Sequence, residues 1–220
     1  MINLLPTIAI IGGTGKEGTG LGLRWALAGY KIIIGSRQAE KARIAAATIN
    51  EQLGIDTVVG LENHEAASKC DICVLTIIHS AHQPIVNSLK KYLVGKILVD
   101  ATSRVDYRDP MPPDAPSAPV QAKYILGTSV RVVAAFQSVP ANLLSKNIDQ
   151  PLDADVLVCS DDVQAAEAVI QLAKAAGMRG YYAGKLENAI VVEGLTSILI
   201  NLNKYYRIKN ASIRITGISN

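Results

Sequence analysis

The stretch Ile8-Ala9-Ile10-Ile11-Gly12-Gly13-Thr14-Gly15-Lys16-Glu17-Gly18 constrains this chain more than any other. An apolar, largely β-branched run reads as a buried strand, and Gly13, Gly15 and Gly18 follow it on GxGxxG spacing where a helical pattern begins. Each glycine has its own task. Gly13 lets the chain turn out of the strand, Gly15 lets backbone approach a pyrophosphate, and Gly18 lets the helix lie close against the sheet. The helix, spanning residues 15 to 28, would offer free N–H groups and the positive end of its dipole to that pyrophosphate. Leu21, Trp25 and Leu27-Ala28 give it an apolar face, Gly29 ends it, and Lys31 to Gly35 supplies a second strand at βαβ distance. A dinucleotide is expected here.

The expected fold is α/β: a Rossmann-type, doubly wound parallel sheet over residues 1–150, then a small C-terminal α/β lobe over 151–220 that ends in a long apolar helix. A hydrophobic content of 49% suits a sheet covered on both faces. The net charge of +3, with no basic run, argues against nucleic acid and suits anionic small molecules. Met1 to Pro6 lacks the basic start and apolar core of a signal peptide, and no apolar run is long enough to span a membrane, so a cytoplasmic enzyme is expected. Three cysteines make no expected disulfide framework; Cys70 and Cys73 match CxxC, but Cys73 sits inside an apolar strand, and core packing is the expected role of that pair.

At the end of the second strand NAD-preferring folds place an acid for the ribose 2′-hydroxyl. This chain has Ser36 and Arg37 there, with Lys41 one turn on, groups suited to a 2′-phosphate, so NADP(H) is expected. Thr57 to Val59 reads as a third strand and Glu62 to Ser68 as a crossover helix. A fourth strand, Ile72 to Leu75, leads into Thr76-Ile77-Ile78-His79-Ser80-Ala81-His82, which should pass beside the nicotinamide because strand carboxyl ends line the crevice. His79 and His82 have no third ligand nearby, and a pocket wall suits them better than a metal. A helix from Pro84 to Tyr92 and a fifth strand, Lys96 to Val99, precede Ala101. The prolines at 110, 112, 113, 116 and 119 predict a stiff extended loop at the crevice rim over Asp109 to Pro119. A sixth strand runs to Phe136 and delivers Gln137 and Ser138; a further strand at Asp155 to Cys159 leads to a helix with Asp161 as N-cap. Tyr181 to Ala183 is a last short strand, and Leu186 to Tyr205 the longest helix, with an apolar face of Ile190, Val191, Leu195, Ile198, Leu199 and Leu202. Within it Glu193, Gly194 and Thr196 stand out, the glycine predicting close approach of a helix or a flat ligand.

Together these residues resemble the NADPH-dependent coenzyme F420 reductases, the F420H2:NADP oxidoreductase family. The resemblance rests on Ile11 to Gly15, Gly35 to Lys41, Thr76 to His82, Phe136 to Ala141 and Val192 to Thr196, and on Asn201 to Tyr206 with Ile213 to Gly217. Members often carry Pro-Trp at Ile78-His79, and some a histidine at Gln137 and a serine at Gly194. The resemblance implies hydride transfer between NADP(H) and the deazaflavin coenzyme F420, with rings stacked by the protein and no acid–base residue or metal. The residues then expected against the cofactors are Gly13, Thr14, Gly15, Lys16 and Glu17 at the pyrophosphate and Ser36, Arg37 and Lys41 at the 2′-phosphate. Thr76, Ile77, Ile78, His82 and Ala101 are expected beside the nicotinamide, and Gln137, Ser138, Glu193 and Thr196 at the deazaflavin. Two alternatives keep the NADP site: a flavin, ferric or imine reductase, and a non-catalytic NADP(H)-sensing module. The apolar C-terminal helix and tail predict a homodimer.

Overall fold

The computed structural model describes residues 5–218. Residues 1–4, most of the stretch read for a signal peptide, lie outside them. Strand β1 (Ile8–Ile11) feeds helix α1 (Lys16–Leu27), then β2 (Ile32–Ser36), α2 (Ala39–Leu53), β3 (Val59–Glu62), α3 (Asn63–Ser68) and β4 (Ile72–Leu75). A 3-10 turn, His79–Ala81, opens α4 (His82–Leu89), and β5 (Ile97–Asp100), α5 (Ala118–Leu126) and β6 (Arg131–Ala134) follow. The chain closes with α6 (Ala141–Leu144), β7 (Asp155–Ser160), α7 (Val163–Ala175), β8 (Arg179–Tyr182) and α8 (Ala189–Tyr205).

The strands form one sheet in the order β3-β2-β1-β4-β5-β6-β7-β8. The first six are parallel, β7 runs antiparallel to β6, and β8 parallel to β7. Side chains alternate along each strand, so Ile8 and Ile10 pack under α1, α2 and α7 while Ala9 and Ile11 face α3, α4, α5 and α8. The chain order reverses between β1 and β4, and that switch point opens the crevice.

Two residues of α1 hold the far end of the chain to the dinucleotide half. The indole Nε1 of Trp25 donates to the carbonyl of Leu172 at 2.8 Å, and its ring meets Phe136 edge-on at 5.8 Å. Arg24, fully covered, donates to the carbonyls of Leu144, Lys146, Asn147, Ile148, Gln150 and Ala176. An irregular segment, 145–151, is thereby fastened by a side chain 122 to 126 residues upstream of the carbonyls it binds there.

Several elements depart from expectation for local reasons. The third strand starts at Val59 rather than Thr57, because both backbone groups of Val58 are taken by the Asn50 amide at 2.8 and 3.0 Å. The N-cap of α7 is Asp162, which accepts from Ala165 N at 2.9 Å; Asp161 is instead bound by Lys123 and by Leu186 N. The proline-rich loop ends at Ser117, and Ala118-Pro119 opens α5, since the first turn of a helix needs no proline N–H.

The largest correction concerns α8. Of the expected apolar face only Leu199 is buried, while Val191, Ile198 and Leu202 are 64, 53 and 38% exposed. Its inward stripe is Ala189, Val192, Glu193, Ser197 and Leu199. A buried ion pair sets this rotation: Glu193 takes Arg104 N and Nε on one oxygen at 2.7 and 2.9 Å, and Arg104 Nη2 and Ala118 N on the other at 3.1 and 3.3 Å. The proline-rich segment is thus a strap laid along α8, and Pro112 lies 3.9 Å from where a Cβ on Gly194 would sit. The strap, rather than a helix or flat ligand, is what approaches that glycine.

Candidate functional site

The turn after β1 is made by Gly12, whose φ of +77° is the left-handed conformation that the sequence had placed at Gly13. Gly13 is needed for room, because a Cβ there would lie 2.6 Å from Ile10 O. Gly18 packs as expected, with Gly13 Cα 2.6 Å from the place of its missing Cβ. A Cβ on Gly15 would meet only Gly12 O, at 3.6 Å, so this residue faces open space. Gly15 is also the N-cap of α1 and no side chain caps the helix there, which leaves its first N–H groups available to an anion.

That open space is a cavity of about 670 Å³. Its wall is formed by Gly12, Thr14 and Gly15 from the turn, Ser36, Arg37, Gln38 and Lys41 from the β2–α2 junction, and Thr76, Ile77 and Ile78 after β4. Arg37 and Lys41 are exposed and, among the described residues, take part in no ion pair. Ser36 Oγ accepts from Gln38 N at 3.2 Å, which fixes the bend that presents Arg37. Asn63, at the head of α3, also lines the cavity and keeps a buried, unpartnered Oδ1. Buried polar atoms rarely lack partners, so this one fits a ligand donor. The sequence reading missed Asn63 because no motif carries it.

A second cavity, of about 540 Å³, begins at the very next residue. Gly15 lines the first and Lys16 the second, so the two flank the N-terminus of α1. Phe136, with φ +76°, swings the chain out of β6 and delivers Gln137 and Ser138 to the second wall. Gln137 is 7% exposed; its Nε2 donates to Asp100 O at 2.9 Å, and its Oε1 has no partner. Thr196 donates to Gln137 O at 3.1 Å. Leu199, Ile200 and Asn203 of α8, Tyr107 ahead of the strap, Val139 to Asn142, and Lys209 with Ala211 complete the wall.

Beneath the junction lies a polar cluster. His82 Nε2 and Asp100 Oδ2 are 2.7 Å apart, both side chains fully buried, and Asp100 Oδ1 accepts from Thr102 N. Glu17, half-buried as a residue, carries a carboxyl that burial first, and then the negative charge of Asp100, pushes up to about 8. At neutral pH it is a protonated acid.

The expected residues therefore divide. Thr14, Gly15, Ser36, Arg37, Lys41, Thr76, Ile77 and Ile78 share the first cavity; Gln137, Ser138 and Thr196 share the second. Lys16 lies on the second wall rather than the pyrophosphate side. Gly13, Glu17 and Ala101 line neither cavity and shape the floor behind them. His82 and Glu193 correct expectation more sharply, because each is fully buried and satisfied by another residue, Asp100 or Arg104. Among the described residues no group of three metal-ligating side chains occurs, and no helix is long and apolar enough to cross a membrane. All three cysteines are buried and free.

Comparison with known proteins gives a consistent outcome. Residues 7–104 match the family model described as NADP oxidoreductase, coenzyme F420-dependent. The F420-dependent NADP reductase of Methanothermobacter thermautotrophicus is 40% identical over 227 residues, covering 98% of this chain and 97% of that protein. The enzyme of the same name from Methanocaldococcus jannaschii is 40% identical over 223 residues, covering 96% of this chain and 98% of that one. A crystal structure from Arthrobacter sp. fb24 superposes with a TM-score of 0.81 at 23% identity, covering 97% of this chain and 100% of its own, which shows the shared fold.

Proposed function

The chain belongs to the F420-dependent NADP oxidoreductase family, and from that membership and the paired cavities we propose that it transfers a hydride between NADP(H) and coenzyme F420. The observation that carries this reading is the adjacency of Gly15 and Lys16, which sets one cavity directly against the other across the first turn of α1. Bound together, the nicotinamide and the deazaflavin supply the hydride donor and acceptor themselves. The protein has to hold them, align them and exclude water.

Gly15 and the uncapped N–H groups of α1 hold the pyrophosphate, and Arg37 with Ser36 and Lys41 holds the 2′-phosphate. Thr76 to Ile78 form the wall beside the nicotinamide. Gln137, its amide nitrogen committed to Asp100 O, presents Oε1 as an acceptor for a ring N–H. Ser138 and Thr196 complete the polar side of that ring's site, and Leu199 and Ile200 its apolar side. On this reading the chain divides into an NADP-binding domain, 1–150, and a lobe, 151–220, whose described residues on α8 and the tail close the second cavity. The outward stripe of Val191, Ile198 and Leu202 supports a homodimer, and three buried free thiols accord with a cytoplasmic setting.

Mixing the protein with NADPH and oxidised coenzyme F420 tests the proposal. The deazaflavin absorbance should bleach, and added NADP+ should restore it. NADPH oxidation by a flavin, a ferric chelate or a cyclic imine, without any by the deazaflavin, would overturn the reading.

A further inference from the structure

The mouth of the second cavity carries charge that ring binding does not use. Two lysines, Lys16 at the head of α1 and Lys209 on the C-terminal tail, line it together with no carboxylate. Among the described residues neither ammonium has an ion-pair or hydrogen-bond partner. Lys204, the neighbouring cation, is already engaged by Arg108 O at 3.2 Å and by the face of Tyr107. The buried, unpartnered Gln137 Oε1 in the same cavity marks it as a ligand site in its own right.

The backbone that carries Lys209 is firmly placed although its side chain is exposed. Ile208 N donates to Asn203 O at 3.0 Å, Asn142 Nδ2 to Asn210 Oδ1 at 2.7 Å, and Ala211 N to Asn203 Oδ1 at 2.9 Å. Further on, Asp155 N donates to Ile213 O at 3.0 Å, and the Asp155 carboxylate accepts from Ile215 N and the Arg179 fork. The tail beyond α8 is thus tied on both sides of Lys209, at Ile208 and at Asn210 and Ala211, which keeps its ammonium on the cavity wall. Coenzyme F420 differs from its bare chromophore by an anionic side chain, a phosphodiester followed by carboxylates, which must leave the ring's site through this mouth.

Resting on the deazaflavin proposal, we infer that Lys16 and Lys209 form a subsite for that anionic side chain, Lys209 as a point charge on a fixed tail and Lys16 beside the positive end of α1. The subsite sorts deazaflavins by their side chains, while Gln137 and Thr196 meet the ring.

Equilibrium titration of deazaflavin fluorescence without any NADP(H) tests this, using coenzyme F420 and the chromophore that stops at the ribityl chain. Lys209→Ala should weaken F420 binding about tenfold, the size of one charge-assisted phosphate contact, and leave the tail-free chromophore within about twofold. Lys209→Arg should restore F420 binding, and rising salt should weaken wild-type binding of F420 but not of the chromophore. Equal loss for both ligands would make Lys209 a wall residue only and overturn the subsite, as would no loss for either. Lys16→Gln provides the second arm, with the same two-ligand difference expected and the same outcomes against it. Failure of the wild-type protein to bind either deazaflavin would overturn the functional reading and the subsite with it.

Discussion

The first cavity draws its whole wall from residues 12 to 85, turns that follow neighbouring parallel strands, whereas the second collects Lys16, Tyr107, residues 137–142, α8 and the tail at 209–211. Parallel strands that share one register deliver their C-terminal turns to one edge, so the dinucleotide side is assembled by the sheet itself. The deazaflavin side has no such template. It depends on long-range tethers: Arg24 on the carbonyls of 144–150, Glu193 on Arg104 and Ala118, and Thr196 on Gln137. The difference teaches where changes should be sharp and where they should be shared among many contacts.

The sharpest break is expected at Gly15. A Cβ there meets no protein atom closer than Gly12 O, at 3.6 Å, so the fold should survive a valine, yet the valine would fill the space a pyrophosphate needs. Gly15→Val should lose NADPH affinity by at least about a hundredfold with a circular dichroism spectrum and melting temperature close to wild type. Deazaflavin binding should persist, and its loss would show that the two cavities are not separable.

Arg37→Ala comes next. Loss of a charge-assisted phosphate contact costs about 1.5–3 kcal/mol, so NADPH should bind roughly 10- to 150-fold more weakly while NADH changes little. Equal losses for both nucleotides would assign Arg37 to the fold rather than to the 2′-phosphate.

On the second side, Gln137→Ala should slow turnover about 10- to 100-fold, about 1.4–2.7 kcal/mol, without abolishing it, because alignment is spread over several walls. Abolished turnover with both cofactors still bound would reveal an acid or base and point to carbonyl or imine reduction.

The smallest effect lies on the boundary between the cavities. Glu17 titrates near 8 in the folded protein against 4.5 for the free group. Between those values the native state holds a proton that the unfolded chain has released, so this group lowers stability progressively as pH rises across the window. Glu17→Gln, neutral throughout, should raise the melting temperature more at pH 8.5 than at pH 5. It should also abolish a loss of NADPH affinity of about two- to fivefold as the carboxylate forms beside the helix N-terminus above pH 8. Coincident pH profiles for the two proteins would remove Glu17 from the cofactor's surroundings.

Legibility follows the same division. Ile8 to Gly18 and Ser36 to Lys41 could be read directly, because strand alternation, glycine spacing and a basic turn are local patterns, and the strands β1 and β4 fall where those patterns place them. Asp162 displaced Asp161 as a cap by one residue, a choice made by Lys123 from α5. His82 was legible as a residue beside the crevice but not as the buried partner of Asp100, since the pairing joins the start of α4 to the end of β5, 18 positions further on.

By itself, then, the sequence determined a parallel sheet with a dinucleotide turn, a basic turn of the kind that suits a 2′-phosphate, and the family to which the chain belongs. Tertiary structure alone decided the rest. It turned Val191, Ile198 and Leu202 of α8 outward because burying Glu193 against Arg104 satisfies that carboxylate. It also put Lys16 on the wall of the second cavity rather than the first, and Lys209 on that same wall. Periodicity could not have shown either placement, because a side chain's neighbours 100 or more residues away are set by the docking of whole elements.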